Sequence, residues 1–231
     1  MITVERVAGQ RNAVGWNLDY LGRQAPRETE RSDAARNRRK ILAAAKALFE
    51  DRGVTGVTME EIARASGVGK GTLYRRFPHK GFLCEALLDE PTRALQERTL
   101  ALLSEPGRSA LEKLDLFLGL VVEFTEANLD LLYGGNEPLC GADRLARFTH
   151  PAYDWRRSTV LGLLRAAARY EEVDSGLDLE YLATALLAPL DLDLYYFQRR
   201  VQGLPAERVG TGLRSLAAIL DSRHLRTDRR A

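Results

Sequence analysis

Cysteine is almost missing from this chain of 231 residues, which has only Cys84 and Cys140. Two residues so far apart supply neither a four-cysteine zinc site nor a disulfide framework. They read as small apolar fillers suited to a reducing cytoplasm. Histidine is as sparse: His79, His150 and His224 are isolated. None has a second ligand-type side chain one helical turn away with a matching partner elsewhere, so no metal site is expected. No apolar run reaches the roughly 18 residues that a membrane span needs. The N-terminal residues lack the basic, apolar and small-residue succession of an export signal, which suits the cytoplasm. Also missing are a nucleophile–base–orienter set, internal repeats and low-complexity tracts. Neither catalysis nor a cofactor is expected.

What is present is an uneven charge. The formal net charge is only +2, yet residues 33–82 carry 11 Lys/Arg against 5 Asp/Glu, and residues 83–231 carry 18 against 23. A short basic segment on a larger acidic remainder predicts a compact nucleic-acid-binding head on a body with another task. Residues 1–32 show no sustained period and read as a flexible arm, with Trp16 and Tyr20 its bulky anchors. Residues 33–82 form the head and 83–224 the body; a charged tail over 225–231 is expected to fray.

From Asp33 the pattern is helical. Ile41, Leu42, Ala45, Leu48 and Phe49 make one apolar stripe, and Gly53 ends it. Thr58 and Glu61 form a capping box before a two-turn helix that stops at Gly67. The turn Gly67-Val68-Gly69 leads to a third short helix, Lys70 to Phe77, stopped by Pro78. No strand signal follows. The helices expected are Lys80 to Ser104 with Pro91 as a kink or restart, Ser109 to Tyr133, a short one over Leu139 to Phe148, Pro151 to Glu171, Leu179 to Gln202 and Pro205 to Ser222. Pro106-Gly107 and Gly134-Gly135 read as breaks. The fold class expected is all-α.

The informative stretch is Thr58 to Lys80, TMEEIARASGVGKGTLYRRFPHK. It reads as helix, tight glycine turn, helix. The first helix suits a position across a phosphate backbone, and the second suits a major groove about 12 Å wide. Leu73 and Phe77 anchor the second helix, while Lys70, Thr72, Tyr74 and Arg76 reach outward. The Gly67–Thr72 run is not a nucleotide loop, because Gly71 separates Lys70 from Thr72 and no strand precedes it.

This stretch resembles the DNA-binding domain of the TetR family of one-component transcriptional repressors. The resemblance rests on Thr58, Ile62-Ala63, Ala65, Gly67-Val68, Gly71-Thr72-Leu73-Tyr74, Phe77 and Lys80, with Arg39 to Gly53 similar to the family's first helix. It implies a three-helix DNA-binding head with a helix-turn-helix, joined to a helical ligand-binding and dimerisation body. It further implies a homodimer built through the last two long helices, a palindromic double-stranded operator, and a small-molecule inducer that alters the spacing of the heads. Two residues depart from the pattern. Gly69 replaces a Ser that would cap the third helix, at a cost of roughly a few tenths of a kcal/mol. Arg76 replaces an aromatic residue or His and offers a guanine reader.

The residues nominated for DNA contact are Thr58, Lys70, Gly71, Thr72, Tyr74, Arg75, Arg76 and Lys80. By the resemblance, Thr72 and Tyr74 touch phosphates or bases, and Lys80 grips a phosphate. Lys70 and Arg76 are assigned to base edges, and Arg75 to phosphate or solvent. Thr58 is first a helix cap and second a phosphate contact. The cluster Arg36, Arg38, Arg39 and Lys40 either solvates a helix start or approaches phosphate. Arg23, Arg27 and Arg31 are read either as solvated or as a minor-groove arm.

The body holds 11 of the 17 aromatic residues. Most aromatic residues of helix bundles are core. The apolar cavity that the resemblance implies makes Phe117, Val121, Tyr133, Phe148, Tyr153, Trp155 and Tyr196 candidates for ligand contact. Asp191 and Asp193 interrupt an apolar stretch. Either they meet solvent or pair with Arg199 or Arg200 of a partner chain, or they supply a counter-charge for a cationic ligand. Two other functions stay open. One is a DNA-binding protein that is ligand-independent or switched by a protein partner. The other is a helical enzyme that has lost DNA binding, against which Lys70, Tyr74, Arg76 and Lys80 argue.

Overall fold

The computed structural model describes residues 32–136 and 146–221. The arm expected before Ser32, with Trp16, Tyr20, Arg23, Arg27 and Arg31, lies outside them, as do Cys140, His224 and the expected tail. The described residues form helices and connecting turns, with no strand, as the sequence leads one to expect. In chain order, α1 spans Ser32–Arg52, α2 Met59–Ser66, α3 Lys70–Arg76 and α4 Lys80–Ser104. Then come α5 at Ala110–Ala127, α6 at Leu129–Asn136, α7 at Ala146–Thr149 and α8 at Pro151–Arg169. The last are α9 at Leu179–Leu187, α10 at Leu192–Tyr196 and α11 at Ala206–Ala218.

Local chemistry sets most of these ends. Gly53 and Gly67 leave α1 and α2 at φ of 71° and 66°, left-handed conformations that glycine adopts without a Cβ penalty. Ser109 and Glu112 form a second capping box at the start of α5. Pro151 takes the first position of α8, where its missing N–H costs nothing, and the His150 side chain accepts the Ala152 amide.

Two large apolar clusters and a small one follow. The head core joins Ile41 and Phe49 of α1, Ile62 of α2, Leu73 of α3, and Leu83 and Cys84 at the start of α4. Burial of a side chain such as Ile62 contributes about 1.5–3 kcal/mol. It also lifts the Cys84 thiol to about 12, a structural and not a reactive cysteine. The body core is centred on α5, whose Phe117, Leu118 and Val121 are wholly buried against Val160 and Leu164 of α8 and Leu213 of α11.

Several boundaries differ from the sequence reading. The helix expected from Ser109 to Tyr133 divides at Asn128, whose side-chain amide donates to the Phe124 carbonyl at 2.8 Å while its backbone turns out of the helix. Pro91 does not restart α4, which runs unbroken through it. Gly134 and Gly135 lie inside α6 and do not break it. Their reason is tertiary. A Cβ on Gly134 would stand 2.5 Å from the Val54 Cβ, and one on Gly135 would stand 2.8 Å from the Cys84 Cβ. The short helix expected over Leu139 to Phe148 is described only as α7, since residues 137–145 lie outside the described set. The helix expected from Leu179 to Gln202 is interrupted. Pro189 sits in a 3₁₀ turn, Ala188–Leu190, and Asp191 then caps α10 by accepting the Asp193 and Leu194 amides. A π-helical turn, Phe197–Val201, continues from α10.

The glycine contacts give a paired prediction. Gly134→Ala forces a methyl into Val54 and is expected to destabilise the fold by about 1–3 kcal/mol. Gly119→Ala, where a Cβ meets nothing within 4 Å, is expected to stabilise α5 by about 0.5–1 kcal/mol. Thermal melting of the two variants checks the opposite signs, and an unchanged midpoint for Gly134→Ala would show that the approach is loose.

Candidate nucleic-acid interface

The head positions two short helices by side chains that close their own turns. The Thr58 hydroxyl accepts the Glu61 amide at 3.2 Å, and the Glu61 carboxylate accepts the Thr58 amide at 2.8 Å. Arg52, at the end of α1, donates to the same carboxylate at 2.8 Å. The Thr58 amide, followed by Arg52, holds the Glu61 carboxyl down at about 2. Thr58 is thus first a cap, and the α1–α2 connection is tied to the start of α2.

Lys80 ties the same connection from the other side. Its ammonium donates to the Val54 carbonyl at 2.8 Å and the Thr55 carbonyl at 3.4 Å. The sequence reading sends Lys80 to a phosphate; the structure places it first as a strut between α4 and the α1–α2 turn. An ammonium has three donors, so this role leaves capacity for an anion.

α3 begins at Gly69, which makes no side-chain cap bond. Leu73 is wholly buried and fixes the rotation of α3. Lys70, Gly71, Tyr74 and Arg75 are then exposed, and Thr72 and Arg76 half-buried. A Cβ on Gly71 would meet nothing, so the helix is flat there. The structure therefore brings Lys70, Gly71, Thr72, Tyr74, Arg75 and Arg76 onto one short helix next to the capped start of α2.

Glu60 organises this surface, and the sequence reading missed it. Its carboxylate accepts the Tyr74 hydroxyl at 3.0 Å and lies 3.9 Å from the Lys70 ammonium. Its own backbone amide, then Tyr74, lowers the Glu60 carboxyl; the same bond raises the Tyr74 phenol. The available signal was a second acid in Met59-Glu60-Glu61, which the capping box does not use. Of the basic cluster at the start of α1, Arg36 lies 3.6 Å from Asp33 and Arg38 lies 3.4 Å from Asp89, while Arg39 and Lys40 are exposed.

The seven ligand candidates fall into separate groups. Phe117 and Val121 are wholly buried, and Trp155 meets Phe117 edge-on with ring centres 5.9 Å apart. Tyr133 stacks on Tyr196 at 3.7 Å. Tyr153 meets Phe148 edge-on at 5.4 Å, and Phe148 is 41% exposed. A groove of about 710 Å³ opens elsewhere, between α4, α5 and α11, with Leu102, Leu116 and Leu120 flanked by Arg98, Asp115 and Arg214.

Of the two acids of the interrupted helix, Asp193 is exposed, as one of the readings expects, and Asp191 is half-buried. Asp191 is a helix cap. Within the chain, Arg199 grips Glu126 at 2.6 Å, and Arg200 lies 3.2 Å from Asp130. Among the described residues no three His, Cys, Asp or Glu side chains gather as metal ligands, and no helix is long and apolar enough to cross a membrane.

Residues 41–87 match the family model described as bacterial regulatory proteins, tetR family. An HTH-type transcriptional regulator of Staphylococcus aureus is 26% identical over 78% of this chain and 91% of its own length. The nucleoid occlusion factor SlmA of Vibrio atlanticus is 28% identical over 71% of this chain and 85% of its own. Among solved structures, FadR of Thermus thermophilus, a TetR-family repressor in complex with lauroyl-CoA, matches with a TM-score of 0.59 at 24% identity. That match covers 78% of this chain and 93% of FadR, and it shows a shared fold.

The capping box makes the head sensitive to acid. A carboxyl depressed in the folded state contributes stability above its unfolded value, 4.5, and loses it as pH falls toward about 2. Wild type is therefore expected to exceed Glu61→Gln in melting temperature near neutral pH, with the gap closing between those two values. Thr58→Ala is expected to cost about 1 kcal/mol. Parallel melting curves for wild type and Glu61→Gln across this range would rule out the carboxylate's role.

Proposed function

We propose that this chain, which belongs to the TetR family of DNA-binding transcriptional regulators, is a repressor that leaves a palindromic operator when a small apolar or amphipathic molecule enters its helical body. The observation that carries the DNA-binding part is α3, which turns Lys70, Tyr74 and Arg75 outward while Leu73 locks it to the head core. A major groove admits one such helix. Lys70 and Arg76 read base edges; Thr72 and Tyr74 touch phosphate or bases; Arg75 faces phosphate. The start of α2 at Thr58 meets phosphate through backbone amides. Glu60 holds Lys70 and Tyr74 in place before DNA arrives and gives them up when phosphates compete.

The reading includes a dimer built through the last helices. Leu194, Phe197 and Val201 are 42%, 45% and 66% exposed at helical spacing, and Leu216 and Ile219 of α11 are 48% and 71% exposed. Large apolar side chains gathered on two consecutive segments support burial against a second copy. Two heads on a two-fold body read a palindrome. The ligand part is supported by the aromatic clusters of the body and by the amphipathic acyl ligand named for FadR. A coupling of about 1–3 kcal/mol would weaken operator binding roughly 5- to 150-fold. A second reading, in which a protein partner replaces the small molecule, is favoured by the complete burial of Phe117 and Val121 and by the relative named as a nucleoid occlusion factor.

Operator selection from a random duplex pool, followed by titration at several salt concentrations, tests the proposal. Affinity is expected to fall by about 0.9 log units per neutralised phosphate for each log unit of salt. Arg76→Ala is expected to relax base preference; Lys80→Ala is expected to weaken all duplexes alike and to lower the melting temperature, since it also removes the strut. Salt-independent binding, or an Arg76→Ala variant that selects the same sequences, would overturn the assignments.

A further inference from the structure

α8 carries a charge on the wrong face. Thr159, Val160, Leu163, Leu164 and Ala167 are buried, and together they define the side of α8 that faces the body core. Arg156 stands one turn before Thr159 and Val160 on that same side, and is half-buried. Its Nε donates to the Ala152 carbonyl at 3.2 Å, a bond within its own helix. Among the described residues no carboxylate lies within 4 Å of it.

The other half-buried arginines of the described body are all compensated. Arg157 meets Glu180 at 2.6 Å and Arg199 meets Glu126 at 2.6 Å. A guanidinium presents five donors in a planar fork, and the fork of Arg156 uses one of them. A half-buried cation without a counter-ion carries a cost that a neutral residue would not. Burial is also the main influence pulling this guanidinium below the usual arginine range, with the Tyr153 phenol opposing it. The start of α8 is not what an anion would seek, because the His150 side chain and carbonyl already accept the Ala152 and Tyr153 amides. Tyr153 and Trp155 flank Arg156 in sequence, and their rings meet Phe148 and Phe117. Of these rings, the Tyr153 phenol lies near enough to influence the Arg156 charge.

We propose that Arg156 is the head-group receptor of the body's ligand site, and that the ligand is an amphipathic anion, a carboxylate or phosphate ester on an apolar tail. This rests on the reading that a small molecule enters the body. The fork of Arg156 takes two anion oxygens side by side, an arrangement that a neutral or cationic head cannot reproduce. It replaces the counter-charge for a cationic ligand that Asp191 and Asp193 suggested, since Asp191 is engaged in capping α10.

Three probes with one tail and different heads test it: dodecanoate, dodecyl phosphate and dodecanol, each below its micellar concentration. Trp155 fluorescence, read in the full-length Trp16→Phe protein, reports binding, and operator release is measured alongside. At least one anion is expected to bind tenfold or more tightly than dodecanol and to release DNA; which of the two does so identifies the head. Arg156→Gln is expected to remove that preference while leaving dodecanol binding within twofold, and Arg156→Lys to keep part of it. Equal affinity for all three heads in the protein with Arg156 intact overturns the proposal without any variant, as does an Arg156→Gln protein that retains the anion preference. Failure of every probe to bind or to release DNA removes the small-molecule reading itself, and this inference with it.

Discussion

The position of the DNA-binding head on the body depends on one close approach between α6 and the first turns of the head. Gly134 sits where a methyl would collide with Val54, and Gly135 where it would collide with Cys84. Gly81 completes the seam, since a Cβ there would stand 2.8 Å from the Gly135 carbonyl. The α6 backbone therefore meets the Cβ atoms of Val54 and Cys84 and the backbone at Gly81, with Leu131 of α6 packed against the head core. The same Val54 that meets Gly134 offers its carbonyl to Lys80. The α1–α2 turn is thus clamped between the start of α4 and the end of α6. A change in the tilt of α6 has no soft side chain in which to dissipate, because glycine contacts cannot repack by rotamer.

The start and middle of α6 are fixed by charge and by stacking. Asp130 pairs with Arg200, and Tyr133 lies flat on Tyr196. Just before α6, Glu126 accepts two nitrogens of Arg199 and the hydroxyl of the wholly buried Tyr195. Arg199, led by this bond, holds the Glu126 carboxyl below its ordinary value. Removing one member would leave a partly enclosed charge without its partner, which costs more than the pair itself contributes. The π-helical turn at Phe197–Val201 places Arg199 and Arg200 side by side on these two acids. In the proposed dimer the same turn presents Phe197 and Val201 to the second copy. One segment would then hold α6 on its inner side and the partner on its outer side.

Local signals were legible in the sequence wherever a side chain satisfies its own helix. Thr58, Ser109 and the left-handed Gly53 and Gly67 mark boundaries by bonds made within a few residues, and these fall where the residue types place them. The failures have a common cause. Gly134-Gly135 has the composition of a break, yet it is a contact surface, and only the location of Val54 and Cys84 reveals that. Asn128 ends α5 by bonding back to Phe124, an option open to any Asn but taken at few helical positions. Glu60 is one of two adjacent acids, and its hold on Tyr74 spans 14 residues across the turn. At the candidate DNA-contact surface the sequence identified α3 as a unit, because its buried Leu73 and its basic flank are neighbours in sequence. It did not identify what orients the side chains.

The proposed ligand site was the least legible, for a reason that composition cannot overcome. Aromatic residues fill helix-bundle cores and line helix-bundle cavities with the same spacing, so counting them does not separate the two. The described rings bear this out: Phe117 is wholly buried while Phe148 is 41% exposed, though both were nominated on equal grounds. A charge is a sharper marker, because its cost depends on enclosure where an aromatic ring gains from it. Applied to Asp191 and Asp193, that logic met a helix break, where an acid is needed as a cap. On α8 there is no break, and Pro151 to Arg169 is one continuous helix. Arg156 therefore has no backbone duty beyond its own turn to explain its place on the core side. In the proposed ligand site, the anionic head of the ligand supplies that explanation.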